Sequence, residues 1–261
     1  MPGRKYTDEF EEEIARWYQE GKGERQLAKE LQVSRNCIHG ALGRQKTEFR
    51  SPGERNRLYQ VDAHAFDVID TEHKAYFLGL LYADGNVHKR TVKLSQKRQD
   101  RILVERLKKF LKSEHPIDEQ MQLCKGKRYP QSRIMVTEGH LASRLKSLGI
   151  LPGRPSHKST VGAIPEPLRI HFIRGYFDGD GSAHTTPGLS FAGSEPFLEW
   201  IRAVLFSMGV SKEDATITKH TTAQIYYLYY SSKKQGVPVA KAMYKNATTG
   251  LERKRERTES W

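Results

Sequence analysis

The chain has 261 residues, 37% hydrophobic and 29% charged, and its 44 Lys and Arg against 31 Asp and Glu leave a net charge of +13. That length allows one large or two to three small domains with a buried core, and the cationic excess favours a polyanionic partner, nucleic acid ahead of an anionic membrane surface. Two cysteines, Cys37 and Cys124, exclude a disulfide framework, and no apolar signal or transmembrane stretch is present, so a soluble cytoplasmic protein is expected.

Residues 7–43 predict three short helices. TDEFEEEIARWYQEGKG offers an N-cap at Thr7 or Asp8, acids in its first turn, and an apolar stripe of Phe10, Ile14, Trp17 and Tyr18 stopped by Gly21 and Gly23. ERQLAKEL places Leu27, Ala28 and Leu31 on one face, and the turn QVS sets Ser34 to cap a third helix, RNCIHGALGR. This A-x-x-L-x-V-S-x-x-x-I spacing resembles the helix-turn-helix family, with Ala28 allowing close packing, Val33 plugging the turn and Ile38 anchoring the third helix. The resemblance implies a DNA-binding domain over residues 1–43 whose third helix enters the major groove, where Arg35, Asn36, His39 and Arg44 meet bases or phosphates. Residues 44–60 hold Arg44, Lys46, Arg50, Arg55 and Arg57 around a Pro-Gly break. They predict a basic linker, either lying along a DNA backbone or serving as a tether.

From residue 61 the chain repeats itself. Residues 75–88, AYFLGLLYADGNVH, align with 171–184, HFIRGYFDGDGSAH, at an offset of 96, pairing Gly79 with Gly175, Asp84 with Asp180, Gly85 with Gly181 and His88 with His184. After each copy the same order follows: strand (TVKLSQ; PGLSFAG), amphipathic helix (DRILVERLKKFLKS; EPFLEWIRAVLFSMG), strand (SRIMVTE; QIYYLYYSS) and closing helix (GHLASRLKSLGI; VPVAKAMYKNAT). Two α/β halves are expected, 61–152 and 153–261.

Each motif helix is apolar nearly all round and carries an interior glycine that costs about 1 kcal/mol against alanine. Gly79 with Ala83, and Gly175 with Gly179, form small-xxx-small faces that suit helix against helix. Gly85 and Gly181 fit left-handed positions just past the helix ends. Asp84 and Asp180 then oppose the dipoles of two touching helices, each by some 0.3–1 kcal/mol. Such a pair is tolerated beside a cation, and hard divalent ions such as Mg²⁺ take carboxylate and carbonyl oxygens. Acids flanking metal ions suit in-line phosphodiester hydrolysis.

FLGLLYADG and IRGYFDGDG resemble the two motifs of the LAGLIDADG homing endonucleases in their single-chain form, over about residues 66–257. The resemblance implies an α+β fold of duplicated αββαββα halves forming a pseudo-twofold saddle, appended here to the three-helix domain. It implies a monomeric, Mg²⁺-dependent enzyme, with Mn²⁺ substituting, that makes a staggered cut in a long, asymmetric double-stranded DNA site, encoded within an intron or a phage genome. Asp84 and Asp180 are the implied metal ligands, with the backbone oxygens of Ala83 and Gly179. Tyr82 replaces the first acid of the motif, which the second copy keeps as Asp178, and that acid is not a metal ligand in the family. A lysine or glutamine that orders water near the metals is sought among Gln96, Lys97, Lys233 and Lys234.

The DNA-facing sheet predicts Thr91, Lys93, Ser95 and Lys97 on one face against Val92 and Leu94, and Gln224, Tyr226 and Tyr230 together in the second half. Lys125, Lys127, Arg128 and Arg133 are further DNA-binding candidates. His88 and His184 are open to metal-supporting, phosphate or merely solvated roles. The terminal ERKRERTESW reads as a helix end or frayed tail. The same fold also resembles RNA-splicing maturases, which would add intron RNA as a partner, and helix-turn-helix regulators without catalysis. Retention of both acids favours the nuclease; Met1 and the Ser260-Trp261 end disfavour an intein-borne one.

Overall fold

The computed structural model describes residues 6–50, 52–124, 126–150, 164–211, 215–221 and 225–261. The chain divides into two units, Met1–Asp62 with Lys112–His115, and Ala63–Leu111 with Pro116–Trp261. Thr7 accepts from the Phe10 amide and opens α1 (Asp8–Gln19). Gly21, at φ +111°, turns the chain into α2 (Glu24–Glu30), and Ser34 accepts from Cys37 N at 3.3 Å to start α3 (Arg35–Arg44). Ile14, Tyr18, Leu27, Ile38 and Leu42 form the core of the first unit, with Phe10, Trp17, Ala28, Leu31 and Val33 packed against it.

Residues 44–60 differ from a free tether. They lie within the first unit, include a short helix α4 (Pro52–Arg55), and are pinned by polar contacts. The Arg50 guanidinium lies 3.9 Å from the Tyr18 ring and donates to the carbonyls of Gly21 and Lys22, while its amide donates to Tyr18 Oη at 3.0 Å. No amphipathic period signals this docking, which uses these polar contacts together with the Phe49 ring stacked on His39 at 4.6 Å.

In the second unit the first half runs α5 (Glu72–Asp84), β1 (Gly85–His88), β2 (Thr91–Lys97), α6 (Arg101–Phe110), β3 (Ile117–Cys124), β4 (Lys127–Thr137) and α7 (Gly139–Ser147). The second half runs α8 (Arg169–Asp180), β5 (Gly181–Ala183), β6 (Leu189–Gly193), α9 (Glu195–Ser207), β7 (Thr216–Lys219), β8 (Tyr226–Tyr230) and α10 (Lys233–Tyr244), and a last helix α11 (Glu252–Glu259) follows. Each half builds a four-stranded antiparallel sheet, ordered β1-β2-β4-β3 and β5-β6-β8-β7. No described helix is long and apolar enough to cross a membrane.

Helices α5 and α8 are the centre of the unit, with residues 75–83 and 172–178 buried. A Cβ at Gly79 would sit 2.0 Å from the Phe172 carbonyl oxygen, and one at Gly175 would sit 1.9 Å from that of Tyr76. The glycines therefore let each backbone lie directly on the other. Gly85 (φ −77°, ψ 155°) and Gly181 (φ −94°, ψ 164°) are extended, not left-handed as the helix-stop reading predicts. Each begins a strand at once, and a Cβ at either would strike the preceding turn, 2.2 Å from Leu81 O or from a Phe177 ring carbon. Close approach explains these glycines too.

Candidate metal centre and nucleic-acid interface

Asp84 and Asp180 are the last residues of α5 and α8, and both line one cavity of about 590 Å³ together with Gln96, Lys97, Gly179 and Lys254. The surroundings of the two acids differ. Gln96, from β2, donates through Nε2 to Asp84 Oδ2 at 2.8 Å. Burial pushes the Asp84 carboxyl above its ordinary range; Asp100 adds to the rise, whereas Gln96, Lys254 and Lys97 oppose it. Asp180 is exposed. Strand register explains part of the asymmetry. Gly85 pairs with Leu94 and Gly181 with Phe191, so the second-half counterpart of Gln96 is Gly193. A Cβ there would lie 2.9 Å from Tyr176 Oη, which donates to Ala192 O at 2.5 Å.

Asp178 is committed to the fold. Its carboxylate, 2% exposed, accepts from Tyr76 Oη at 2.7 Å, Tyr244 Oη at 2.9 Å and the Leu251 amide at 2.8 Å. In the other half the repeat mates of Tyr76 and Asp178 are Phe172 and Tyr82, and the polar pair becomes a ring contact at 5.6 Å.

The terminal charge run is a helix wall rather than a frayed tail. Lys254 is 5% exposed, and its ammonium donates to the carbonyls of Phe177 (2.6 Å), Asp178 (2.9 Å) and Gly181 (2.7 Å), at the negative end of α8. Burial pushes its pKa down to about 8, with Asp178, Asp84 and Asp100 resisting. Arg253 holds Asp100 through two hydrogen bonds of 2.6 and 2.7 Å. Sequence reading missed Arg253 and Lys254, because no apolar period accompanies them, and Asp100, because its partner lies 153 residues away.

The acceptors around this cavity fit a hard divalent cation: the carboxylates of Asp84 and Asp180, the former raised by burial so that a cation would stabilise it, and the backbone of Gly179, whereas Ala83 is not among the described lining residues. Of the remaining candidates, Lys97 lines the cavity, whereas Lys233 lines a different one between α10 and α11. Lys234 is not among the described residues lining the acid cavity. Both lysines start α10.

On β2 the expected alternation is present: Val92, Leu94 and Gln96 are buried, and Lys93, Ser95 and Lys97 face outward, opposite Met135, Arg133 and Gln131. Arg133 also donates to Asp118 at 3.3 Å. Arg128 is exposed, but it falls on the opposite parity of β4 from Arg133. Tyr226 shares the parity of buried Leu228 and Tyr230, so Tyr227 and Tyr229, stacked at 5.9 Å, form the other face. Lys125 and Gln224 lie outside the described residues. In the first unit, Asn36 and Lys46 are exposed. Arg35, His39 and Arg55 converge on the buried carboxylate of Glu24 at 3.1, 3.2 and 2.7 Å, and Arg44 grips Glu11 at 2.6 Å. Burial raises the Glu24 carboxyl, but His39, Arg55 and Arg35 together hold it below its ordinary value.

No family model matches the chain, and neither does any curated protein. Solved structures do. The homing endonuclease I-WcaI bound to its DNA recognition sequence aligns with a TM-score of 0.54 at 11% identity, covering 72% of this chain and 87% of that one. Full-length DUF199/WhiA from Thermatoga maritima aligns at 0.47 and 18% identity over 76% of this chain, which spans 64% of that protein's length. Meganuclease I-SmaMI bound to uncleaveable DNA aligns at 0.45 and 10% identity over 65% and 84% of the two chains. With two motif helices and two four-stranded antiparallel sheets, and with the likeness to the first of these, the chain is a LAGLIDADG-fold protein.

Proposed function

We propose that the chain is a divalent-metal-dependent endonuclease that cuts both strands of a long, asymmetric DNA site. The observation that carries this reading is the placement of Asp84 and Asp180 at the ends of two interlocked helices, on one cavity. Asp84 and Asp180, with the carbonyls of Ala83 and Gly179, would hold Mg²⁺ or Mn²⁺. The chemistry such ions supply is activation of water and neutralisation of charge at the leaving oxygen. Gln96 orients the Asp84 carboxylate, and Lys254 holds the end of α8 that presents Asp180. Lys93 and Lys97 on the outward face of β2, with Arg133 beside them, supply cations for phosphates. Helices α1 to α3 of the first unit, with Asn36 on α3 and Lys46 just beyond it, act as a helix-turn-helix arm on duplex DNA.

The test is incubation with a library of long duplexes and Mg²⁺ or Mn²⁺. Discrete double-strand cuts are expected in the native chain. Asp84→Asn or Asp180→Asn should lower cutting by about a hundredfold or more, since each removes several kcal/mol of charge stabilisation, while binding persists. A duplex that is bound and never cut would replace the enzyme reading with that of a DNA-binding regulator.

A further inference from the structure

His64, Asp67 and His140 meet on the second unit, and none of them lines the acid cavity. His64 Nδ1 lies 2.6 Å from Asp67 Oδ2, and His140 Nε2 lies 2.6 Å from Asp67 Oδ1. The two rings are 4.4 Å apart, and one ligating atom from each residue falls within 4.8 Å of the other two. We propose that these three residues form a second cation site, which takes Zn²⁺ or a similar late first-row divalent ion.

The donor chemistry separates this site from the acid cavity, whose described lining residues include no histidine. Two neutral imidazoles and one carboxylate suit borderline ions, whereas Mg²⁺ prefers oxygen. The backbone around the cluster is built before any ion arrives. The Asp67 amide donates to His64 O at 3.0 Å, closing a turn. Arg144, on α7, donates through Nε to Phe66 O at 3.0 Å and through Nη2 to Asp67 O at 2.9 Å. Phe66 is itself fully buried against Phe110. His140 lies in the first turn of α7, whose start is fixed by Glu138 accepting from Leu141 N at 2.6 Å. The three backbones are thus held, while the side chains stay open to solvent at 71%, 37% and 49% exposure for His64, Asp67 and His140.

Bonds of about 2.0–2.2 Å to a tetrahedral ion place ligand atoms about 3.4 Å apart. The two 2.6 Å contacts would open by less than an ångström, as the ion replaces the protons the histidines share with Asp67. Water completes the coordination. A bound ion would tie the 64–67 turn to α7, an effect the acid cavity does not require.

The experiment uses the full chain carrying Asp84→Asn and Asp180→Asn, stripped with chelator, so that the carboxylate cavity does not compete. Zn²⁺ titrated calorimetrically should bind at one equivalent and raise the unfolding midpoint, Mg²⁺ in excess should not displace it, and Co²⁺ should give intense visible bands. Adding Asp67→Asn or His140→Ala should lower Zn²⁺ affinity at least tenfold and abolish the midpoint shift, with the circular dichroism of the metal-free protein unchanged. Absence of a saturable equivalent, or equal affinity in both variants, overturns the proposal and leaves an ion-paired turn.

Discussion

Lys254 places an ammonium against the carbonyls of Phe177, Asp178 and Gly181, where α8 ends and β5 begins, beside the buried carboxylate of Asp178. Lys254→Met keeps the length of the side chain and removes the charge. It should cost roughly 3 kcal/mol in denaturant unfolding, because one buried ion and three acceptors lose their partner together. The pH dependence has a definite sign. The folded pKa is depressed to about 8 from 10.5, so between these values the unfolded chain binds the extra proton and stability rises with pH. The gap between native chain and variant should therefore widen from pH 8 toward 10.5 in paired unfolding titrations, and a narrowing gap would refute the assignment. Gln96→Leu belongs to the same scale. It removes the 2.8 Å hydrogen bond that orients Asp84 from β2, and should lower Mg²⁺ affinity in cutting by roughly ten- to a hundredfold.

Among the elements, α5 and α8 were legible from the repeat alone, since each interior glycine makes sense only against a second backbone. Gly79→Ala or Gly175→Ala would drive a methyl into a carbonyl oxygen, which cannot rotate away, so the helices must part. Either substitution should cost about 3 kcal/mol or more. Gly43→Ala on α3, where an added Cβ meets nothing within 4 Å, should instead stabilise by about 0.5–1 kcal/mol. Chemical denaturation of the three variants decides the matter, and a mild effect at Gly79 or Gly175 would mean that the helices slide past one another. Helix α11 was illegible for the converse reason. Its side chains are charged nearly throughout, so no apolar period marks Lys254, whose burial is set by α8, more than 70 residues earlier in sequence. The pairing of Arg253 with Asp100 is equally non-local. Gly85 and Gly181 were legible as necessary glycines, but dihedral preference was the wrong reason, because the crowding comes from their own preceding turns.

At the scale of the whole molecule, the +13 charge sits almost wholly in the second unit, because the first holds 13 Lys and Arg against 12 Asp and Glu. Arg35 and Arg55 converge on Glu24, and Arg44 meets Glu11, so their contribution to phosphate binding depends on the exposed remainder of each guanidinium. Lys46 and the outward row of β2 carry no such pairing to a buried acid among the described contacts. Each phosphate that a cation neutralises releases counterions and steepens the fall of affinity with salt by roughly 0.9 on logarithmic axes. Deleting residues 1–60 should therefore lower duplex affinity by about tenfold or more and flatten that salt slope. The acid cavity is lined entirely by residues beyond position 83, so cutting at saturating DNA should persist. Lys97→Ala should flatten the slope by about one phosphate and also slow the cut, because Lys97 stands on the outward face and at the cavity. Filter binding across a salt series, paired with single-turnover cutting, separates the two effects. Unchanged affinity after the deletion would remove the first unit from DNA recognition and leave the second to carry it alone.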